Sequence, residues 1–147
     1  MADSRTQDEA AIRGIIEDYR RALHAKDADA LTAHHAPDIL SYDLAPPLAT
    51  RGSDLRGLKA WLAGWEGPIE HEVRDLSIEA GDSVAFSTSL NRMRATSTNG
   101  KRVDLWTRTT IGFRKVDGRW LVAHEHVSVP FYMDGSERAA LDLKPRS

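Results

Sequence analysis

Between Asp8 and Ala25 the apolar side chains fall at Ile12, Ile15, Ile16, Tyr19 and Leu23, while Arg13, Glu17, Arg20 and Arg21 take the other side. That spacing is one stripe of an amphipathic helix. Asp27 can cap a second, shorter helix from Ala28 to about His35, which Pro37 helps to stop. Asp38 to Asp43 then alternates as a strand, with Ile39, Ser41 and Asp43 on one face and Leu40 and Tyr42 on the other. Pro46-Pro47 marks a loop. Ser53 or Asp54 caps a third helix running to about Trp65, with Leu55, Leu58, Leu62 and Trp65 in register, and Gly67-Pro68 ends it.

Beyond that point the pattern changes from helical to alternating. Ile69 to Ala80, Ser83 to Thr98, Lys101 to Val116 and Arg119 to Val129 read as four strands, with turns at Gly81-Asp82, Asn99-Gly100 and Asp117-Gly118. Asn99-Gly100 predicts a type I′ hairpin. Pro130 breaks the last strand. In the tail, Tyr132 and Leu141 are expected to pack down and Lys144 to Ser147 to fray. Helices followed by a run of long strands predict an α+β domain. One sheet face must be buried on the helices. The other is expected to carry Trp106, Val122 and Trp120, too much apolar surface for solvent, which predicts a homodimer through the convex face of the sheet.

Composition narrows the function classes. A chain of 147 residues fits one domain, 1–147, with 1–7 and 142–147 expected to be flexible. A net charge of −2 offers no basic field for nucleic acid or an anionic membrane. The absence of cysteine excludes disulfides, thiolate zinc sites and a cysteine nucleophile. The polar start, without an apolar signal core, and the lack of any apolar run near ~18 residues predict a soluble, cytoplasmic protein. No Gly-rich phosphate loop, Gly-x-Ser-x-Gly elbow or His-Glu-x-x-His helix is present.

Three stretches carry a resemblance: Tyr-Arg-Arg-Ala-Leu-His-Ala-Lys-Asp-Ala-Asp-Ala (19–30), Ala-Pro-Asp-Ile-Leu-Ser-Tyr-Asp (36–43) and Phe-Arg-Lys-Val-Asp-Gly-Arg-Trp-Leu-Val-Ala-His-Glu-His-Val-Ser (113–128). Together they resemble the nuclear transport factor 2-like superfamily, and within it the ketosteroid isomerase-like and SnoaL-like proteins, from Asp8 to Pro130. The resemblance implies a cone-shaped α+β fold, with N-terminal helices packed on a curved, mostly antiparallel sheet. It implies a cavity for a small apolar or carbonyl-containing ligand. Activities on this fold include isomerisation, dehydration and cyclisation by proton transfer without a cofactor. The alternative is a non-catalytic ligand-binding or oligomerisation module, because the fold alone does not fix function.

In the isomerase a first-helix tyrosine and a protonated aspartate form an oxyanion hole, and a second aspartate shuttles the proton. Tyr19 falls on the tyrosine position and Asp43 on that of the base. With a one-residue slip at the turn, Thr109 occupies the position of the oxyanion-hole aspartate. It can donate a hydrogen bond but is not a neutral carboxylic acid, which argues against steroid isomerisation. Trp61, Trp65, Ile111, Ala123 and Val127 are the expected pocket walls.

Alternation on the last strand puts Leu121, Ala123, Val127 and Val129 on one face with Glu125, and Trp120, Val122, His124, His126 and Ser128 on the other. By resemblance the first set lines the cavity. A glutamate among alanine and valines is desolvated, which raises its pKa and suits it to acid–base work.

Each candidate has a structural competitor. Tyr19 can be a core tyrosine with a satisfied hydroxyl, Asp43 a turn aspartate, and Glu125 the partner of Arg92 or Arg108 in a buried ion pair. Trp61 and Trp65, four apart on one helix face, read as core or pocket wall in preference to a cation cage, since aromatic pairs mostly serve packing. His124 and His126 share a strand face, as in cupin metal sites, but a cupin does not begin with an amphipathic helix; interface hydrogen bonding is expected and no metal site. His34-His35 is assigned to helix-end dipole compensation, and His71 to the surface or rim. Arg92, Arg94, Lys101 and Arg102 read as a solvated strand end, not an RNA surface.

Overall fold

A computed structural model describes residues 3–146. Helix α1 (Ser4–Ala25) begins four residues before the expected Asp8, because Asp3 caps it and accepts a hydrogen bond from the Arg5 N–H. Its stripe buries Ile12, Ile15, Ala22 and Leu23. Lys26 closes the helix in the left-handed conformation, and its ammonium donates to the Trp65 carbonyl at 2.8 Å. The Asp27 carboxylate caps α2 (Ala28–Thr32), which stops three residues short of His35. The chain there has already entered β1 (His35–Tyr42), and Pro37 is accommodated at an irregularity in the β1 register.

Residues 43–49 form a loop containing the Pro46-Pro47 pair, and β2 (Thr50–Arg51) follows. Asp54 caps α3 (Leu55–Ala63), which ends before Trp65 because Trp65 already opens β3 (Trp65–Ala80). Strands β4 (Val84–Ser97), β5 (Arg102–Val116) and β6 (Arg119–Ser128) complete one sheet in the order β2-β1-β6-β5-β4-β3. All neighbouring pairs are antiparallel except β1 with β6. The helices pack on a curved, unclosed sheet, and the α+β expectation holds. Among the described residues no helix is long and apolar enough to cross a membrane.

Two apolar clusters lie between helices and sheet. One joins Ile12 and Ile15 of α1 to Ile39, Ile78, Phe113, Trp120 and Val122; the other joins Ala22, Leu23 and Leu31 to Leu62, Ile69 and Ala95. Asp8 ties α1 to the β5–β6 hairpin, accepting from the Trp120 indole N–H at 2.9 Å and from Lys115 at 3.0 Å.

The first cluster corrects the sequence reading. Trp120 and Val122 are 5% and 6% exposed and face the helices, not a partner on the outer face. A β-bulge explains it. Phe113 pairs with Val122 and Gly112 with His124, leaving Ala123 as the extra residue. One inserted residue reverses the alternation, so Trp120 and Val122 share the inner face with Glu125 and Val127 despite opposite parity.

The tail also differs. Ala140, not Leu141, is buried, and Leu141 is 49% exposed. Tyr132 is tied to Asp142 through its hydroxyl and to Arg138 through its backbone. Of the terminal stretches expected to be flexible, residues 1, 2 and 147 lie outside the described residues.

Candidate functional site

Glu125 is central to the arrangement. It stands on the inner face of β6, paired with Ser41 of β1 on one side and Ile111 of β5 on the other. Its hydrogen-bond partner is the Ser41 hydroxyl, which donates at a long 3.5 Å. Neither competing arginine reaches it. Arg92 forks onto Asp104 with two contacts of 2.9 Å, and Arg108 donates to Ser128 at 3.3 Å, both on the outer face. Burial, and then the negative charge of Asp43, push the Glu125 carboxyl up to about 7; the Ser41 hydrogen bond opposes them, and among the described residues no cation pairs with it.

Asp43 follows β1 and opens the loop toward Pro46-Pro47. Among the described residues its carboxylate takes no side-chain hydrogen bond, and partial burial raises its pKa. It is more exposed than Glu125 and less perturbed.

Tyr19 belongs to the apolar stripe of α1. Its phenol is held well above the usual tyrosine range, first by burial and then by the charges of Glu125 and Asp43. Those influences bring the three expected residues into one neighbourhood. Tyr19 is nevertheless 37% exposed, which fits a side chain standing in a concavity where water and enclosing protein atoms are both close. The hydroxyl has no protein hydrogen-bond partner among the described residues, so the satisfied-core alternative does not describe it.

Thr109 is 7% exposed and lies on the inner face opposite Val127. It is the diagonal neighbour of Glu125 across the β5–β6 pair, since Ile111 is the direct one. Its oxygen accepts from Asn91 at 3.0 Å.

The expected walls divide. Ile111 and Val127 adjoin Glu125 and Thr109, whereas Ala123 is the bulged residue. Trp61 and Trp65 meet edge to face at 5.8 Å, and Trp65 packs against the second apolar cluster with Leu62 and Ile69. Trp61 is 43% exposed.

Sequence reasoning missed His71. It is half-buried, meets Tyr19 edge to face at 5.7 Å and leaves its Nδ1 buried without a partner. Burial, then the nearby Arg20, pushes it down to about 4, so it is neutral at ordinary pH. Ser41 and Asn91 were missed as well. Alternation places Ser41 on one strand face with Ile39 and Asp43, but its hydrogen bond to Glu125 has no sequence signal; Asn91 is brought to Thr109 by the β4–β5 register.

Four other histidines are accounted for by contacts. His34 meets Asp18 at 2.9 Å and His35 meets Ser53 at 2.8 Å, in place of the helix-end role expected of them. His124 bonds the Leu40 carbonyl at 2.7 Å and packs with His126 against Tyr42. Among the described residues no three metal-ligating side chains cluster.

Two concavities flank the group. One of about 870 Å³ is bordered by Asp43, Leu44, Pro46, Pro47, Val127 and Val129. The other, about 840 Å³ between α1 and β3, includes His71, Arg20, Ile16 and Leu76. Neither is centred on Glu125, but Asp43 borders the first and His71, against Tyr19, the second.

Helices laid over a curved sheet, with polar side chains grouped on the covered face, define the class of nuclear transport factor 2-like folds. The SnoaL-like domain model matches residues 12–132, and the chain belongs to that family. A nuclear transport factor 2-like protein of unknown function from Pseudomonas putida is 30% identical over 95% of this chain and 98% of its own, with a TM-score of 0.84. A proposed scytalone dehydratase from Novosphingobium aromaticivorans is 20% identical over 100% of both chains, TM-score 0.75. A proposed dehydratase from Streptomyces avermitilis is 16% identical over 84% of this chain and 97% of its own, TM-score 0.73. No curated protein gives a significant sequence match.

Proposed function

We propose that this protein binds a small carbonyl compound between α1 and the inner sheet face and moves a proton beside the carbonyl, without a cofactor. The observation that carries the reading is Glu125, a carboxyl with no cation partner among the described residues, raised to about 7 beside a tyrosine and a second carboxylate. A base titrating near working pH is well matched to abstracting and returning a proton. Glu125 in its ionised form takes the proton from the carbon next to the carbonyl, and the C–H electron pair moves onto oxygen. Tyr19 and Thr109 donate hydrogen bonds to that oxygen as charge develops. The proton then returns to another carbon in an isomerisation, or the enolate expels a β-hydroxyl, which leaves with a proton as water, in a dehydration. Asp43, first choice for the base from sequence, here helps through its negative charge to hold Glu125 high. The proposed dehydratases on this fold agree with the second outcome but share too little sequence to carry it.

The chain is further proposed to pair with a second copy through the outer face, where Phe86 is 50% exposed. Sedimentation reads that directly.

Deuterium exchange into simple cyclic ketones, followed by NMR, tests the chemistry. Exchange that rises with pH through about 7 and falls on the order of a hundredfold in Glu125→Gln supports proton transfer. Ligand binding with no exchange above the buffer rate would make the protein a binding module.

A further inference from the structure

On its inner face the middle of the sheet carries a run of polar side chains: Ser87, Ser89 and Asn91 on β4, and Thr107 and Thr109 on β5. Ser87, Thr107 and Thr109 are 1%, 8% and 7% exposed. Such groups require partners, because a buried donor or acceptor left unmade is costly. Their hydrogen bonds have a direction. The Ser89 hydroxyl donates to Asn91 Oδ1 at 2.8 Å, and Asn91 Nδ2 donates to Thr109 Oγ1 at 3.0 Å. Asn91 itself is held from behind, since Thr107 Oγ1 donates to its backbone carbonyl at 3.4 Å.

The chain Ser89 to Asn91 to Thr109 is open at one end. A threonine hydroxyl has one proton to give and lone pairs to accept with. Asn91 occupies the oxygen as an acceptor, and the proton finds no acceptor among the described residues. Register puts Thr109 diagonal to Glu125, about 7–8 Å away on the inner face. A network serving only to satisfy the core would close on itself, whereas this one ends in a donor beside the carboxylate.

We propose that Asn91 is a positioning residue: its amide fixes Thr109 as a hydrogen-bond donor to the oxygen of a neutral carbonyl or phenol ligand. The inference rests on the site reading above and deepens it. Each link polarises the next, so Thr109 is a stronger donor than an isolated threonine. Asn91 touches no ligand. It acts by denying Thr109 the choice of giving its proton back to the sheet.

The test uses the full chain and two probes of one shape, 2-naphthol and naphthalene; the ratio of their affinities isolates the oxygen contact. Thr109→Val should lower that ratio about tenfold, the scale of one ordinary hydrogen bond, and Thr109→Ser should restore it. Asn91→Asp replaces the donor amide with an acceptor of the same shape. The Thr109 proton then turns to the introduced carboxylate, and the ratio should fall about as far as in Thr109→Val, with the double variant no worse than either single one. Asn91→Leu, which offers neither donor nor acceptor, reads the same effect at smaller size should Asn91→Asp not fold. A ratio unchanged in the Asn91 variants, with only the melting temperature lowered, makes the network structural and overturns the proposal. A ratio that falls in Tyr19→Phe but not in Thr109→Val keeps the site and removes the relay. A ratio unmoved by Tyr19→Phe, Glu125→Gln and Thr109→Val removes both.

Discussion

Asp43 perturbs Glu125, but burial perturbs it more, and that order has a consequence. Asp43→Asn should bring the Glu125 midpoint below about 7 yet leave it above the ordinary 4.5, because the desolvating surroundings remain. Carboxyl carbon NMR across the titration reads the shift directly; a midpoint at 4.5 would make Asp43 the whole cause. The same two carboxylates set ligand charge. A probe bearing its own carboxylate should bind at least roughly tenfold more weakly above the Glu125 midpoint than below it, and Glu125→Gln should flatten that dependence. At this scale the sequence was informative where pattern and chemistry coincide. Tyr19 is a polar-tipped residue in an apolar helix stripe, and Glu125 a charge among alanine and valines. Asn91 and His71 carried no such contrast. On a strand, asparagine and histidine look like a solvated face until the register shows which neighbours they stand beside.

The turns show how local chemistry sets elements and where it is ambiguous. Asp117 and Gly118 both take positive φ, 50° and 78°, the requirement of a type I′ turn joining Val116 to Arg119. At Asn99-Gly100, predicted to be the same, only Gly100 has positive φ. Gly100 donates to the Ser97 carbonyl and Ser97 to that of Lys101, so the loop is one residue longer and has Gly100 at its left-handed position. Asn-Gly suits either loop; strand register decided. Gly118→Ala, where an added Cβ meets nothing within 4 Å, should therefore cost about 1 kcal/mol through backbone strain alone. Gly14→Ala, in mid-helix and equally free of contacts, should stabilise by up to about 1 kcal/mol. Urea titration distinguishes the two, and equal signs would contradict the conformational argument. The bulge at Ala123 is the element that pattern reading could not find. Alanine fits either face of a strand, so nothing in Trp-Leu-Val-Ala-His-Glu announces that the alternation reverses there.

For the whole molecule, Glu125 and His71 act on stability in opposite directions. The native state raises Glu125 from 4.5 to about 7, so its contribution is full below 4.5 and is lost as pH rises through 7. The native state lowers His71 from 6.5 to about 4, so its contribution is full above 6.5 and is lost as pH falls toward 4. Between about pH 4.5 and 6.5 the two slopes have opposite sign, and in the wild-type protein these two contributions offset each other. Glu125→Gln removes one slope and exposes the other: its stability should climb with pH through that window and level off above 6.5. Above pH 7 the variant should also exceed wild type by roughly 2–4 kcal/mol, the linkage equivalent of a shift of this size. His71→Phe, which keeps a ring against Tyr19, should show the mirror image, declining as pH rises toward 7. Chemical denaturation at a series of pH values measures all three curves. Parallel curves for wild type and Glu125→Gln would mean that Glu125 is as well solvated in the folded protein as in the unfolded chain. A group that destabilises the native state in its ionised form is retained at a stability cost, and the proton transfer proposed for this site gives that retention a use.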